Sequence, residues 1–212
     1  METEKLQIYI NELIQDRPEL LAEMEQYAQE FEVPIMELTG IETMLQLLRI
    51  QQPKSILEVG TAIGYSALRM AYTLPNTKIV TIERDTERLE KAKDYIKRAE
   101  KQSQIVLISG DALEVEAEIK AYAPYDTIFI DAAKAQYQRF FDMYSKYLSD
   151  TGIIITDNVL FKGMVAEGNI ENRNIRALVR KINNFNSWLM GHPDYDSVII
   201  PVGDGLAISK KR

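Results

Sequence analysis

The chain has 212 residues, 46% of them hydrophobic, with no cysteine, one histidine and a formal net charge of −7 at neutral pH. Without cysteine there are no disulfides, thiolate zinc sites or cysteine nucleophiles, so any metal must be held by oxygen or by His192, which favours hard cations. The acidic balance argues against a protein that coats nucleic acid non-specifically, because that affinity comes from neutralising phosphates, although it permits a local basic patch.

Length and even composition predict one α/β domain over residues 1–212. No stretch approaches the roughly 18 uncharged apolar residues of a membrane span. The opening METEKLQIYI has neither a basic n-region nor an apolar h-region, so a cytoplasmic protein that does not use the membrane is expected.

Residues 1–52 read as a helical cap. Leu6, Tyr9, Ile10 and Leu13, then Ile41, Met44, Leu45 and Leu48, recur at helical spacing. Pro18 and Pro34 divide this part into about three helices, each proline standing where a helix can begin. From Pro53 onward the pattern is SILEVG then helix 64–73, KIVTIE then helix 86–101, QIVLIS then helix 112–121, YDTIFID then helix 135–148, and GIIITD then helix 170–189. Such alternation specifies βαβ units: a Rossmann-like core over 53–212, with a mostly parallel sheet covered by helices on both faces. At the end, DSVIIPV and GLAISKK are separated only by Gly203 and Asp204, which predicts a tight antiparallel hairpin and one reversed strand.

The first strand, Ile56 to Val59, runs into Gly60-Thr61-Ala62-Ile63-Gly64-Tyr65-Ser66 and straight into a helix. A strand, a glycine turn and a helix N-terminus place backbone N–H groups and the positive end of the helix dipole beside a ligand. The spacing is G-x-x-x-G, not the G-x-G-x-x-G of a pyrophosphate turn, so a dinucleotide is not expected. The second strand ends at Glu83, where an acid accepts hydrogen bonds from a ribose diol. After the third come Asp111 and Ala112, an acid and a backbone N–H that can read an adenine edge; Asp111 fits equally well as a helix N-cap. Glu58, inside a strand, needs a partner for its carboxylate, and a ligand amine could be one.

Two later strands end in ligands for hard cations: TIFID at Asp131, and GIIITDN at Asp157 and Asn158. Each could simply cap the element that follows. Together, on neighbouring strands, they form a candidate metal site.

The ordered set ILEVGTAIGYSA, TIE ending at Glu83, GDA at Asp111, D-x-x-K from Asp131 to Lys134, TDN at Asp157 and the terminal PVGDGLAIS resembles the cation-dependent O-methyltransferases, the catechol and caffeoyl-CoA group. The resemblance covers about residues 35–210. It implies a class I S-adenosylmethionine fold with seven strands, the last antiparallel. Position by position, it implies cofactor contacts at Gly60, Ser66, Glu83, Asp111, Ala112 and Asp131, with Met36 closing over the cofactor. Glu58 and Tyr65 in the glycine motif are counted with them. Asp131, Asp157 and Asn158 match the family's metal ligands, and Lys134 its catalytic lysine, acting beside Asp131.

Mg²⁺ takes about six oxygens and keeps some water, so three protein ligands leave positions for two adjacent substrate oxygens. Catechols carry such a pair, and so does 5-hydroxyuridine. In length and motif detail the chain is similar to bacterial members, in particular those that convert 5-hydroxyuridine to 5-methoxyuridine at the tRNA wobble position. The tRNA anticodon stem-loop is therefore the first expected substrate, and small phenols are the alternative. Lys162, Arg173 and Arg176, just beyond the metal ligands, are candidate contacts to its phosphates; solvated helix faces would give the same pattern. The apolar N-terminal positions and the resemblance lead to an expected homodimer. His192, in GHPDYD, is expected in a loop without a catalytic role, and Trp188 on the apolar face of the last long helix.

Overall fold

The structure, a computed structural model, describes residues 2–212, with side chains from Lys5 onward. Three helices come first: α1 (Glu2–Leu13), α2 (Glu19–Glu30) and α3 (Leu38–Gln51). Then follow β1 (Ser55–Val59), α4 (Tyr65–Thr73), β2 (Lys78–Glu83), α5 (Thr86–Arg98), β3 (Ile105–Ser109), α6 (Glu116–Lys120), β4 (Tyr125–Ile130), α7 (Tyr137–Tyr144), β5 (Leu148–Thr156), α8 (Arg173–Met190), β6 (Tyr195–Ile200) and β7 (Leu206–Lys211).

The seven strands form one sheet in the order β3-β2-β1-β4-β5-β7-β6, in which β7 runs antiparallel to both of its neighbours. Both faces are covered. Alternate strand residues divide between two apolar clusters: Ile56, Ile79, Phe129 and Ile155 pack with Leu21, Met24, Met44 and Leu48 of the helical cap and with Leu68 of α4. Leu57, Val80, Ile128 and Ile154 pack with Phe141 of α7 and with Phe185 and Leu189 of α8. A sheet dry on both faces explains why the strands read as near-continuous apolar runs.

The order reverses at β1, since β2 and β3 lie to one side and β4 and β5 to the other. In open α/β sheets that switch point leaves a crevice at the carboxyl ends of the strands. Register makes the crevice regular. Val59 pairs with Ile130 and Ile130 with Thr156, so the next residues, Gly60, Asp131 and Asp157, stand side by side. The ladder continues through them, with Asp131 N donating to Val59 O at 2.9 Å and Asp157 N to Ile130 O at 3.1 Å.

Four expectations about local structure are corrected. The helix expected over 112–121 contracts to Glu116–Lys120, because Glu114 and Val115 fold back as turns onto the Asp111 carbonyl. The segment 135–148 divides into a 3₁₀ turn at Lys134–Gln136, then α7, then a second 3₁₀ turn at Ser145–Tyr147. Pro18 directly precedes α2, whereas Pro34 stands four residues before α3, which leaves a stretch that buries Met36. The two-residue hairpin turn is a five-residue loop, Pro201–Gly205, with Gly203 and Gly205 at positive φ. It turns inward, so that Asp204 is 8% exposed.

His192 lies just past α8, packs edge-on to Trp188 and Tyr195, and accepts a hydrogen bond from Asp194 N through Nδ1, a loop role. Trp188 packs against Phe141 and Phe185. On α1, Leu6, Ile8, Tyr9, Ile10 and Leu13 are all exposed. Among the described residues no helix is long and apolar enough to cross a membrane.

Candidate active site

A cavity of about 620 Å³ occupies the crevice, and it brings together nearly all the sequence-predicted residues: Met36, Gly60, Tyr65, Ser66, Glu83, Asp111, Ala112, Asp131, Lys134, Asp157, Asn158 and Lys162 all line it.

Gly60 has φ +107°, and a Cβ there would lie 2.1 Å from the Asp131 carbonyl oxygen. Only glycine allows the end of β1 to approach the end of β4 so closely. Glu83 is buried and accepts from the backbone N–H groups of Ala62 at 2.8 Å and of Arg84 and Asp85 at 2.9 Å. Its Oε2 takes one of these bonds, which leaves acceptor capacity facing the cavity. Asp111 lines the cavity but is not the helix N-cap expected of it, since α6 begins only at Glu116. Oδ1 holds a turn by accepting from Leu113 N at 2.9 Å, while Oδ2 faces Arg84 at 3.3 Å. Ala112 is held by its carbonyl, which accepts from the buried Tyr144 hydroxyl.

Glu58 and Tyr65 differ from expectation. Glu58 is wholly buried behind the cavity wall, and its partners are the hydroxyls of Ser66 and Thr81 rather than a ligand amine. Burial pushes its carboxyl up to about 8; the two hydroxyl bonds oppose this, and the charges of Asp131 and Glu83 add to it. Its reach to a ligand is through the Ser66 hydroxyl. Tyr65 lines the cavity, but its hydroxyl donates to Glu25 and accepts from Arg69 Nη1 at 2.8 Å. Only the ring remains for a ligand.

On the other side, Asp157 is 2% exposed and Asp131 half-buried. Both carboxyls are held above the ordinary aspartate range, first by burial; Lys134 pulls both down and Asp204 pushes both up. For Asp157 the charge of Asp131 ranks next after burial. Lys134 Nζ donates to Asn158 Oδ1 at 2.6 Å. Two neighbouring carboxyls whose ionisation is disfavoured without a counter-charge, beside an amide oxygen with a free lone pair, suit a hard divalent cation. Among the described residues no three His, Cys, Asp or Glu side chains form a metal-holding group, so such an ion would depend on Asp131, Asp157 and the Asn158 amide.

Asn158 opens an unusual segment. Asn158, Phe161, Lys162 and Gly163 have φ of +57°, +45°, +54° and +78°. Asparagine and glycine tolerate this region, whereas phenylalanine and lysine are strained in it by roughly 1–2 kcal/mol each. The Pro201–Gly205 loop holds the segment. Val159 N donates to Gly205 O at 3.1 Å, Leu160 N to Asp204 O at 2.9 Å, and Lys162 N to the Asp204 carboxylate. Asp204 and Phe161 also line the cavity, and sequence reasoning gave neither a role. Glycine–aspartate–glycine before a strand reads as ordinary turn chemistry, and only the long-range pairing discloses more. Arg173 and Arg176 lie at the start of α8, exposed and, among the described residues, without an acidic partner within 4 Å; Lys162 likewise has none.

A family model described as O-methyltransferase matches residues 11–212. A catechol O-methyltransferase of Niastella koreensis is 33% identical over 174 residues, covering 78% of this chain and 77% of that protein. Among solved structures, a Staphylococcus aureus protein assigned provisionally to the caffeoyl-CoA O-methyltransferases superposes with a TM-score of 0.92 at 37% identity, covering 97% of this chain and 99% of that one. The O-methyltransferase TomG of Streptomyces achromogenes, solved with S-adenosylmethionine, superposes with a TM-score of 0.83 at 26% identity, covering 100% and 99%. With the cavity at the switch point and β7 reversed at the sheet's far side, these matches establish that the chain belongs to the O-methyltransferase family that includes the catechol and caffeoyl-CoA enzymes.

Proposed function

We propose that this protein transfers a methyl group from S-adenosylmethionine to one hydroxyl of a substrate carrying two adjacent oxygens, with Mg²⁺ as the metal. The observation that carries this reading is the alignment of Gly60, Asp131 and Asp157 at three adjacent strand ends, with Lys134 Nζ 2.6 Å from Asn158. Glu83 would take the ribose, Asp111 and Ala112 the adenine edge, and Gly60, Ser66 and the Tyr65 ring the methionine end, beneath Met36. Asp131, Asp157 and Asn158 would hold the cation. When bound, Mg²⁺ supplies a Lewis acid that orients the oxygen pair and lowers the hydroxyl's pKa, and the cofactor supplies an activated methyl. Lys134 then receives the hydroxyl proton or holds the negative charge left behind. The rest is positioning, which can supply on the order of 7–11 kcal/mol.

For the substrate, the relatives' names shift the balance from tRNA to a catechol-type phenol. The second reading, 5-hydroxyuridine in a tRNA anticodon loop, is favoured by one feature: Lys162 on the cavity rim and Arg173 and Arg176 beyond it have, among the described residues, no acidic partner within 4 Å, in a chain of net charge −7. Assays of the purified protein with both substrates decide between them. Methylation of a catechol that is indifferent to salt supports the first. Methylation of tRNA that falls steeply as salt rises, and again in R173A/R176A, supports the second and displaces the first. Turnover of neither refutes the proposal. The exposed apolar row on α1 supports a homodimer; a monomeric mass at micromolar concentration refutes that.

A further inference from the structure

The segment Asn158–Gly163 does two things at once: its first residue joins Asp131, Asp157 and Lys134 in the cavity lining, bonding Lys134 through Oδ1, and Phe161 and Lys162 form part of the same lining. Four of its six residues sit in the left-handed region, two of them neither glycine nor asparagine. A short run of such residues persists only where surrounding contacts over-determine it. Those contacts converge on a single loop. Leu160 N and Val159 N donate to the carbonyls of Asp204 and Gly205, and Gly205 is pressed so closely on Leu160 that a Cβ would lie 2.4 Å from its Cγ. On the opposite side, Gly203 rests against Gly40 of α3, where a Cβ would lie 3.1 Å from the Gly40 Cα. The loop is thus wedged between the helical cap and the segment it holds. Within this contact one side chain is specific: the Asp204 carboxylate accepts from Lys162 N, at the strained end of the segment.

We propose that Asp204 is a positioning residue, which locks Asn158–Gly163 in the left-handed conformation through the Lys162 amide and so presents Asn158 to the acid pair and sets Phe161 and Lys162 on the rim. The inference rests on the reading of Asn158 as a ligand in the active site. A carboxylate suits the task because, as an ionised acceptor, it bonds more strongly to the part-buried Lys162 N–H than a neutral group would. Its charge also bears on Asp131 and Asp157, so the positioning effect has to be separated from the electrostatic one.

Two variants make that separation. D204N and D204A remove the same charge, but only D204A removes the acceptor. Hydrogen exchange of the amides over residues 158–165 reads the lock, Mn²⁺ binding followed by electron paramagnetic resonance reads the presentation of Asn158, and calorimetric binding of S-adenosylhomocysteine reads the cofactor half. The expected result is exchange roughly 10-fold or more faster in D204A than in D204N, Mn²⁺ binding weaker by a similar factor, and cofactor-product affinity equal in the two. Equal exchange in the two variants overturns the proposal, and so does a parallel loss of cofactor-product binding in D204A, which would mean a general loosening. If wild-type protein binds no Mn²⁺, the metal reading falls, while the exchange comparison still decides the role of Asp204. Should D204A not fold, D204S, whose hydroxyl is too short to reach Lys162 N, takes its place against D204N under the same criteria.

Discussion

Replacing Glu58 by glutamine tests whether this buried carboxyl is kept protonated by the fold. Its carboxyl is raised from the ordinary 4.5 to about 8, chiefly by burial. The folded state therefore holds a proton that the unfolded chain releases above pH 4.5, and stability is lost as pH rises through this window. At about 1.4 kcal/mol per pH unit, the interval from 4.5 to about 8 amounts to on the order of 5 kcal/mol. Glutamine cannot ionise and keeps one donor and one acceptor for Ser66 and Thr81; its surplus N–H costs about 1 kcal/mol. Urea unfolding of cofactor-free wild type and E58Q, from pH 4 to pH 9, gives a difference curve from which the groups that do not interact with Glu58 cancel, leaving Glu58 and its coupling to Asp131 and Glu83. Near pH 4 the variant should be equal or slightly weaker. From there it should gain on wild type up to about pH 8, become the more stable by several kcal/mol, and then level off. Parallel curves through this window, or a wild type that gains on the variant as pH rises, would refute the assignment of a neutral Glu58.

Three shorter predictions concern the cavity. G60A should cost roughly 2–5 kcal/mol, from a left-handed alanine and from overlap with the Asp131 carbonyl, and should abolish cofactor binding; a wild-type melting temperature would contradict it. K134A should lower kcat by roughly 10²–10⁴-fold at saturating cofactor and Mg²⁺ while leaving cofactor affinity alone, and near-normal turnover would remove Lys134 from the chemistry. Treatment with EDTA should stop turnover and Mg²⁺ should restore it, with calorimetric cofactor binding retained throughout; activity that survives chelation would exclude the metal role.

The strand and helix order could be read because a sheet dry on both faces leaves uninterrupted β-rich runs between helical stretches. The site could be read wherever function followed directly on a strand: Gly60, Glu83, Asp131 and Asp157 each close a run of apolar residues or stand one position beyond it. What depended on contacts far apart in sequence was not legible. The pairing of Glu58 with Thr81 joins two strands, the Tyr65 hydroxyl is taken by Glu25 in the cap, and the Asp204 carboxylate reaches 42 residues back to Lys162. No local pattern carries such pairings. The short helix at Glu116–Lys120 was overestimated for a related reason, since turns onto the Asp111 carbonyl consume its expected first residues.

The contact of Gly60 with the Asp131 carbonyl makes the sheet itself a ruler. Under the proposed function the donor side of the cavity grows from the end of β1 and the acceptor side from the ends of β4 and β5, and hydrogen bonds between strand ends, rather than side-chain rotamers, fix the gap between them. The span that methyl transfer must bridge is thereby a backbone property, indifferent to which acceptor occupies the site. Under the same reading, acceptor choice falls to pieces that are not strands, chiefly the segment from Asn158 to Gly163. Changing those pieces could redirect such an enzyme from a free phenol to a base in RNA while the ruler stays the same.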